Sequence, residues 1–544
     1  MSFIEKIDKV SGNRSARKNW FRAVCVIFLV VVILPSVYVL FEAASRWDEI
    51  SQVAGDSAMM STMWGAIGNS FGLAFVVTLV DIAAGIPMAW LMVRKNFPGK
   101  KIMDTLVDMP LAFPTAALGF SVAIFWGLPE GLSIPGTGLV ASPAVLIFLL
   151  HLIFTYPYMV RTLSGILEQI DPTYETAGMT LGASRFTAVR TITLPLFRAG
   201  LITGFILCFA RSLSETGGTY IALSLVGMQD SFFTGPTFIK HLKELSGSSA
   251  ATPMLILVSA ILIILAIMML FLAKYLMQRL KIPWSKVWPR FERRISRGNA
   301  SKVSNGLTIG FFVFVILVPS FFIFTFLLNP GTSPDMARLA SAMGTSFAVA
   351  GVTTAFGIVF GMPLAIFIAR NGNTKLGRTL DTLVNIPLVI PTTALGLSLA
   401  MFWTALPLGI PGLLLVILGH IAFTYPLIVR NIVGAVEEID PSYEEIAKTL
   451  GAKPFQAFRK VLLPLIKPSV LAGAILAFTR SLGETGATLA IDPTINTVPI
   501  FIVGLIDDFV DTANAALAHE AALASVILIV ISFILMAMMK RITS

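Results

Sequence analysis

Charge is scarce in this chain. Asp, Glu, Lys and Arg make up 13% of its 544 residues and hydrophobic types 56%, with a mean hydropathy of +0.84. Soluble globular domains carry roughly 25% charged residues, so the composition excludes one and predicts a polytopic membrane protein. Cysteine is scarcer still, with only Cys25 and Cys208, both inside apolar runs. That excludes a disulfide framework and any CxxC metal or redox motif. Only four histidines occur, none in HExxH spacing, so no metal site is expected. No GxxxxGK(S/T) phosphate loop is present, and the Gly99-Lys100 step runs on into Lys101. The chain itself is not expected to hydrolyse ATP. No small-residue cleavage site accompanies the first apolar run, which begins near Arg22 and reads as a retained anchor.

What the chain has is long apolar runs. Crossing a hydrocarbon core of roughly 30 Å takes ~20 residues, and twelve runs qualify. They lie near 22–42, 66–92, 106–128, 143–160, 199–222 and 253–273, then 307–328, 346–369, 383–406, 412–429, 468–491 and 521–539. With both termini inside, Arg46, Lys240, Lys243 and Arg338 are the Lys and Arg residues left outside, and Arg211 and Arg480 fall within spans. The other basic residues gather inside, as the positive-inside rule requires. The net charge of +10 is thereby explained by cytoplasmic loops on a lipid bilayer, and no nucleic-acid partner is expected.

The chain also repeats itself. EQIDPTYETAGMTLGASRFTAVRTITLP, residues 168–195, returns as EEIDPSYEEIAKTLGAKPFQAFRKVLLP, residues 437–464. Asp171 and Asp440 can cap a short helix that Gly182 and Gly451 end, and basic residues follow, so each copy reads as a polar cytoplasmic elbow between spans. Two further pairs match: LVDMPLAFPTAALG with LVNIPLVIPTTALG, and HLIFTYP with HIAFTYP. An even number of spans per unit makes this a parallel tandem repeat about an axis along the membrane normal, with room for a pathway between the halves. The first unit is expected over 1–273, a basic linker over 274–306 and the second unit over 307–544.

Several residues could carry chemistry. Pro110 and Pro114, like Pro387 and Pro391, stand four apart in one span and predict a kink or unwound turn, which could line a pathway or be structural only. Arg211 and Glu215, like Arg480 and Glu484, are four apart near mid-span and can meet on one helix face. Ionisable groups at that depth must be paired or wet. The Arg could meet an anionic solute, or each pair could neutralise itself and lock its span. His151 and His420 match each other and read as neutral packing histidines rather than as a relay. Asp81 has Gly357 as its counterpart and Asp108 has Asn385, so the halves differ electrically.

The elbow resembles the EAA loop of type I ABC importer permeases. The match is Glu175, Leu181, Gly182, Ile192, Leu194 and Pro195, and Glu444, Leu450, Gly451, Val461, Leu463 and Pro464. The alanines depart from the family pattern, with small residues kept at Ala177, Gly178 and Ala447. The resemblance implies an all-α fold of two six-helix repeats in a prokaryotic inner membrane. It implies two separate ABC ATPase subunits that carry ATP and Mg and dock at Tyr174, Glu175, Ala177, Gly182, Tyr443, Glu444, Glu445, Ala447 and Gly451. It implies an extracytoplasmic solute-binding protein as well, and neither catalytic residues nor cofactors in this chain. The span patterns look like sulfate and molybdate permeases, while the fused layout looks like ferric iron, thiamine and aminoethylphosphonate systems. A small oxyanion or phosphonate is therefore expected, with iron or thiamine left open. A gradient-driven secondary transporter or channel using the Arg/Glu pairs is the alternative.

Overall fold

The structure, a computed structural model, describes residues 8, 10–134, 137–245, 251–279, 300–328 and 335–543. Most of the expected linker, 280–299, lies outside these residues. In the first half the chain forms α1 (Arg14–Ser45), α2 (Ser57–Arg94), α3 (Lys100–Leu111), α4 (Thr115–Gly127) and α5 (Pro143–Gln169). The elbow helix α6 (Thr173–Thr180) follows, then α7 (Arg185–Leu196), α8 (Gly200–Leu213), α9 (Gly217–Leu225), α10 (Gly235–Glu244) and α11 (Ala251–Ala273). The second half repeats the order with α12 (Lys302–Thr325), α13 (Met336–Arg370), α14 (Lys375–Val389), α15 (Thr392–Ala405) and α16 (Gly412–Glu438). After these come the elbow helix α17 (Ser442–Thr449), α18 (Pro454–Leu482), α19 (Gly486–Ile491), α20 (Val498–Thr512) and α21 (Ala515–Met538). Two antiparallel two-residue strands, β1 (Ser133–Ile134) and β2 (Thr137–Gly138), are the strands among the described residues.

Among those residues nine helices are long and apolar enough to cross a membrane, and three bent pairs bring the number to twelve. The α3/α4 pair bends by 101° and the α14/α15 pair by 109°. Proline places both bends, because a residue before proline is driven out of the helical region. Phe113 ahead of Pro114 sits at φ −78°, ψ 131°, and Ile390 ahead of Pro391 at φ −68°, ψ 132°. Pro110 stays inside its helix, so the second proline of each pair makes the break. The third pair, α7/α8, bends by 67°, whereas its counterpart α18 runs on as one helix.

The expectation of unbroken spans over 199–222 and 468–491 is corrected. Each helix stops, at Leu213 and at Leu482, and restarts as α9 and α19.

The first helix of each half packs on the other half. Ser398 Oγ on α15 donates to Pro35 O on α1 at 2.7 Å and accepts from Val39 N at 2.9 Å, while Phe28 stacks on Tyr425. Reciprocally, Ser121 Oγ on α4 donates to Pro319 O on α12 at 2.6 Å and accepts from Ile323 N at 2.9 Å, and Tyr156 meets Phe311 and Phe312. In lipid such hydroxyl and ring contacts, rather than hydrophobic exclusion, hold helices together. The result is an all-α polytopic fold of two tandem parallel repeats with interlocked first helices.

Candidate functional site

Two places concentrate polar chemistry in an apolar chain: the elbows and the helix breaks where the halves meet. In each elbow an aspartate accepts from the first turn, Asp171 Oδ1 from Thr173 N and Asp440 Oδ1 from Ser442 N, both at 2.8 Å. These hydrogen bonds favour the ionised carboxylate and lower both pKa values. Gly182 and Gly451 end the helices at φ +90° and +88°, a conformation open to glycine at little cost.

The elbow acids face inward. Glu175 is buried, accepts from Thr193 Oγ1 at 2.9 Å and lies 3.6 Å from Arg94 Nε at the end of α2. Arg94 Nη2 also donates to Ile170 O at 2.6 Å. Glu444 accepts from Arg370 Nη2 at 2.8 Å and Nε at 3.2 Å, and Arg370 Nη1 donates to Ile439 O at 2.8 Å. The acids therefore tie the elbow to the second span of their own half. Outward stand Tyr174 and Leu181, and Tyr443, Ile446 and Leu450, with Leu181 89% and Leu450 83% exposed. Ala177 and Glu445 are exposed and Ala447 is half-buried. Sequence reasoning missed Arg94 and Arg370, although each is the last residue of an apolar span and the first cation after it.

The helix breaks are built alike. Arg211 Nη1 reaches Glu215 Oε2 at 2.8 Å, and Glu215 Oε1 accepts from Gly218 N at 2.9 Å. Arg480 Nη1 pairs with Glu484 Oε2, whose Oε1 accepts from Ala487 N at 2.9 Å. Each glutamate thus neutralises the arginine one turn back and accepts an amide of the next helix, which explains the break. His151 clips the two pieces together, Nδ1 to Ser212 Oγ at 2.7 Å and Nε2 to Thr219 Oγ1 at 2.9 Å. His420 does the same with Ser481 and Thr488 at the same two distances. With both ring nitrogens occupied by hydroxyls, the histidines act as helix staples.

The two breaks abut. Thr216 hydrogen-bonds Thr393, Thr392 Oγ1 donates to Ser214 O at 3.3 Å, and a Cβ on Gly486 would come within 2.7 Å of Thr216 Oγ1. Further along, Tyr220 OH donates to Asp507 Oδ1 at 2.6 Å, and Lys243 Nζ donates to Leu489 O at 2.9 Å and to Ala490 O. Between the halves a cavity of about 40 Å³ is lined by Pro110 and Pro114 of the α3/α4 bend, by α5, and by both Arg211 and Arg480. Pro387 and Pro391 do not line it.

Fold and site define a membrane permease, two tandem helical units closing on a shared polar seam. The chain belongs to the family described as binding-protein-dependent transport system inner membrane component, whose model matches residues 81–282 and 361–543. Among its relatives is the probable sulfate transport system permease protein cysT of Chlorokybus atmophyticus, 30% identical over 230 residues, covering 41% of this chain and 77% of that protein. Another is the molybdenum transport system permease protein ModB of Escherichia coli, strain K12, 33% identical over 175 residues, covering 30% of this chain and 72% of that protein. The sulfate transport system permease protein CysT of Salmonella typhimurium is 33% identical over 177 residues, covering 32% of this chain and 61% of that protein.

Proposed function

We propose that this chain is a fused pair of permease units of an ATP-driven importer for a small oxyanion. Two separate ATPase subunits dock on the two elbows at the cytoplasmic face, and a solute-binding protein delivers the anion to the opposite face. The observation that carries this reading is the pair of matched elbows. Each presents an exposed leucine and tyrosine outward while its glutamate anchors it to a membrane span through Arg94 or Arg370. An apolar tip on a rigidly anchored stem suits docking and rigid-body coupling. Tyr174, Tyr443 and the exposed leucines would meet the ATPase directly, and Glu175 and Glu444 would transmit the motion.

The solute assignment rests on the names of the relatives, which transport sulfate and molybdenum, and on the two arginines of the inter-half cavity. A phosphonate shares that chemistry. Ferric iron or thiamine would bring positive charge to two guanidinium groups, which disfavours both. Both ring nitrogens of His151 and of His420 are bound to hydroxyls, which argues against a histidine relay for gradient-driven transport.

The test is reconstitution of the chain in vesicles with the ATPase and binding protein from its own genome. Sulfate, molybdate, phosphonate, iron and thiamine would each be offered with and without ATP. ATP-dependent accumulation of one of the anions is the expected result. Accumulation driven by an ion gradient without ATPase, or of a cation alone, would overturn it.

A further inference from the structure

The two sides of the inter-half cavity are chemically unequal. Its lining includes Thr115, Phe154, Tyr158 and Arg211 from the first half and Thr479 and Arg480 from the second. Rotation by the repeat carries Phe154 onto Phe423, Tyr158 onto Leu427 and Thr115 onto Thr392. Thr392 spends its hydroxyl on Ser214 O, and Leu427 has none to offer. Among the described residues, Tyr158 and Thr115 donate side-chain hydrogen bonds to no protein group, although Thr115 is buried.

The arginines are similarly underused. Each spends Nη1 on its own glutamate and bonds no other protein acceptor among the described residues. A guanidinium carries five N–H donors in a rigid fork that matches oxyanion geometry. The Arg211 guanidinium is held over the Phe154 ring at 4.7 Å, which fixes its plane. The glutamates do not compete for the cavity, since their second oxygens are taken by Gly218 N and Ala487 N. A cavity of about 40 Å³ exceeds the roughly 10–15 Å³ needed for one water.

We propose that this cavity is a single oxyanion subsite per chain, gripped by Arg211 and Arg480 and selected by the hydroxyls of Tyr158 and Thr115, with no equivalent across the pseudo-axis. It rests on the oxyanion reading above and adds a place, a stoichiometry and two specificity residues. A fused chain permits such a site, because its halves are free to diverge where two identical subunits are not.

The experiment is equilibrium binding of radiolabelled sulfate and molybdate, up to millimolar concentration, to the full chain in lipid nanodiscs. ATP-driven uptake of the same anions is measured in parallel. One anion per chain is expected. Tyr158→Phe should weaken binding about tenfold, the effect of losing one hydrogen bond to a charged group, and Thr115→Val should weaken it in the same direction. Leu427→Met, across the axis, should change nothing. Two anions per chain, or unchanged affinity in both hydroxyl variants, overturns the subsite while normal uptake leaves the oxyanion reading standing. No anion bound together with no anion taken up overturns both.

Discussion

Arg94 and Arg370 end the second span of their halves and hold the same elbow glutamate, yet the grips differ. Arg370 places two nitrogens on Glu444, at 2.8 and 3.2 Å, whereas Arg94 Nε stays 3.6 Å from Glu175, which is held instead by Thr193. The same divergence recurs at the bent spans. Arg161 meets two carboxylates, Asp104 at 2.6 Å and Asp108, while Arg430 meets Asp381 at 2.6 Å and the neutral Asn385 at 2.8 Å. At the helix breaks the halves keep nearly identical geometry, down to the two histidine staples. Duplication has preserved what closes the seam and relaxed what surrounds it. The seam works as a matched pair, and the elbows and cavity are free to specialise.

The largest effect should come from breaking the matched part. Arg211→Met and Arg480→Met each strand a buried glutamate, and removing one partner of a buried pair costs about 3–5 kcal/mol. Chemical unfolding in detergent should show the loss for either variant. A loss confined to one half would mean that only one pair locks its break.

The elbow comparison sharpens next. Arg370→Met removes charge-assisted hydrogen bonds to Glu444, each worth about 1.5–3 kcal/mol, and Arg94→Met removes a weaker contact. Hydrogen exchange should therefore rise more over 437–464 in the first variant than over 168–195 in the second. Equal rises would erase the difference.

The outer contact gives a pH signature. Lys243 of α10 caps the carbonyls at the end of α19, and the matching residue of the second half is Ile506. Burial lowers the Lys243 pKa to about 8, partly offset by the Asp492 carboxylate. An unfolded lysine titrates near 10.4. Between those values the unfolded chain holds more protons than the folded one, so this residue makes stability rise as pH climbs from about 8 to about 10. The difference between wild type and Lys243→Met should climb across that window, on the order of 1 kcal/mol, and be flat below it. Unfolding at stepped pH measures it.

The smallest effect belongs to Asp108→Asn, which makes the first clamp resemble the second. Arg161 keeps Asp104, so stability should move by less than about 1 kcal/mol. A large loss in thermal unfolding would show that the extra carboxylate is structural.

Much of this architecture was legible in the residues. Apolar run length marked the crossings, and Pro114 and Pro391 marked two bends because proline acts on its neighbour whatever the surroundings. The breaks after Leu213 and Leu482 were not legible. They contain no proline, and although Gly217, Gly218, Gly483 and Gly486 weaken a helix there, glycine is common inside membrane helices and does not by itself mark a break. What breaks the helix is a glutamate satisfied both by an arginine one turn back and by an amide ahead, so the pairing of Arg211 with Glu215 was readable and its consequence was not. Arg94 and Arg370 were counted as topogenic charges, since more than 70 residues of sequence separate each from its glutamate. The unequal cavity was hidden for the same reason: Tyr158 and Leu427 differ openly, but only the fold places Tyr158 in one cavity with Arg211 and Arg480.

The proposed docking of two separate ATPase subunits on the exposed elbow tips can be tested directly. Leu181→Cys and Leu450→Cys, placed singly in a Cys25→Ser background, should each cross-link to an ATPase polypeptide when the chain is drawn from its native membrane under gentle conditions. The uncross-linked complex should hold two ATPase copies per chain. Absence of any ATPase from both variants, with gradient-driven uptake by the chain alone in vesicles, would show instead that the elbows do not receive an ATPase.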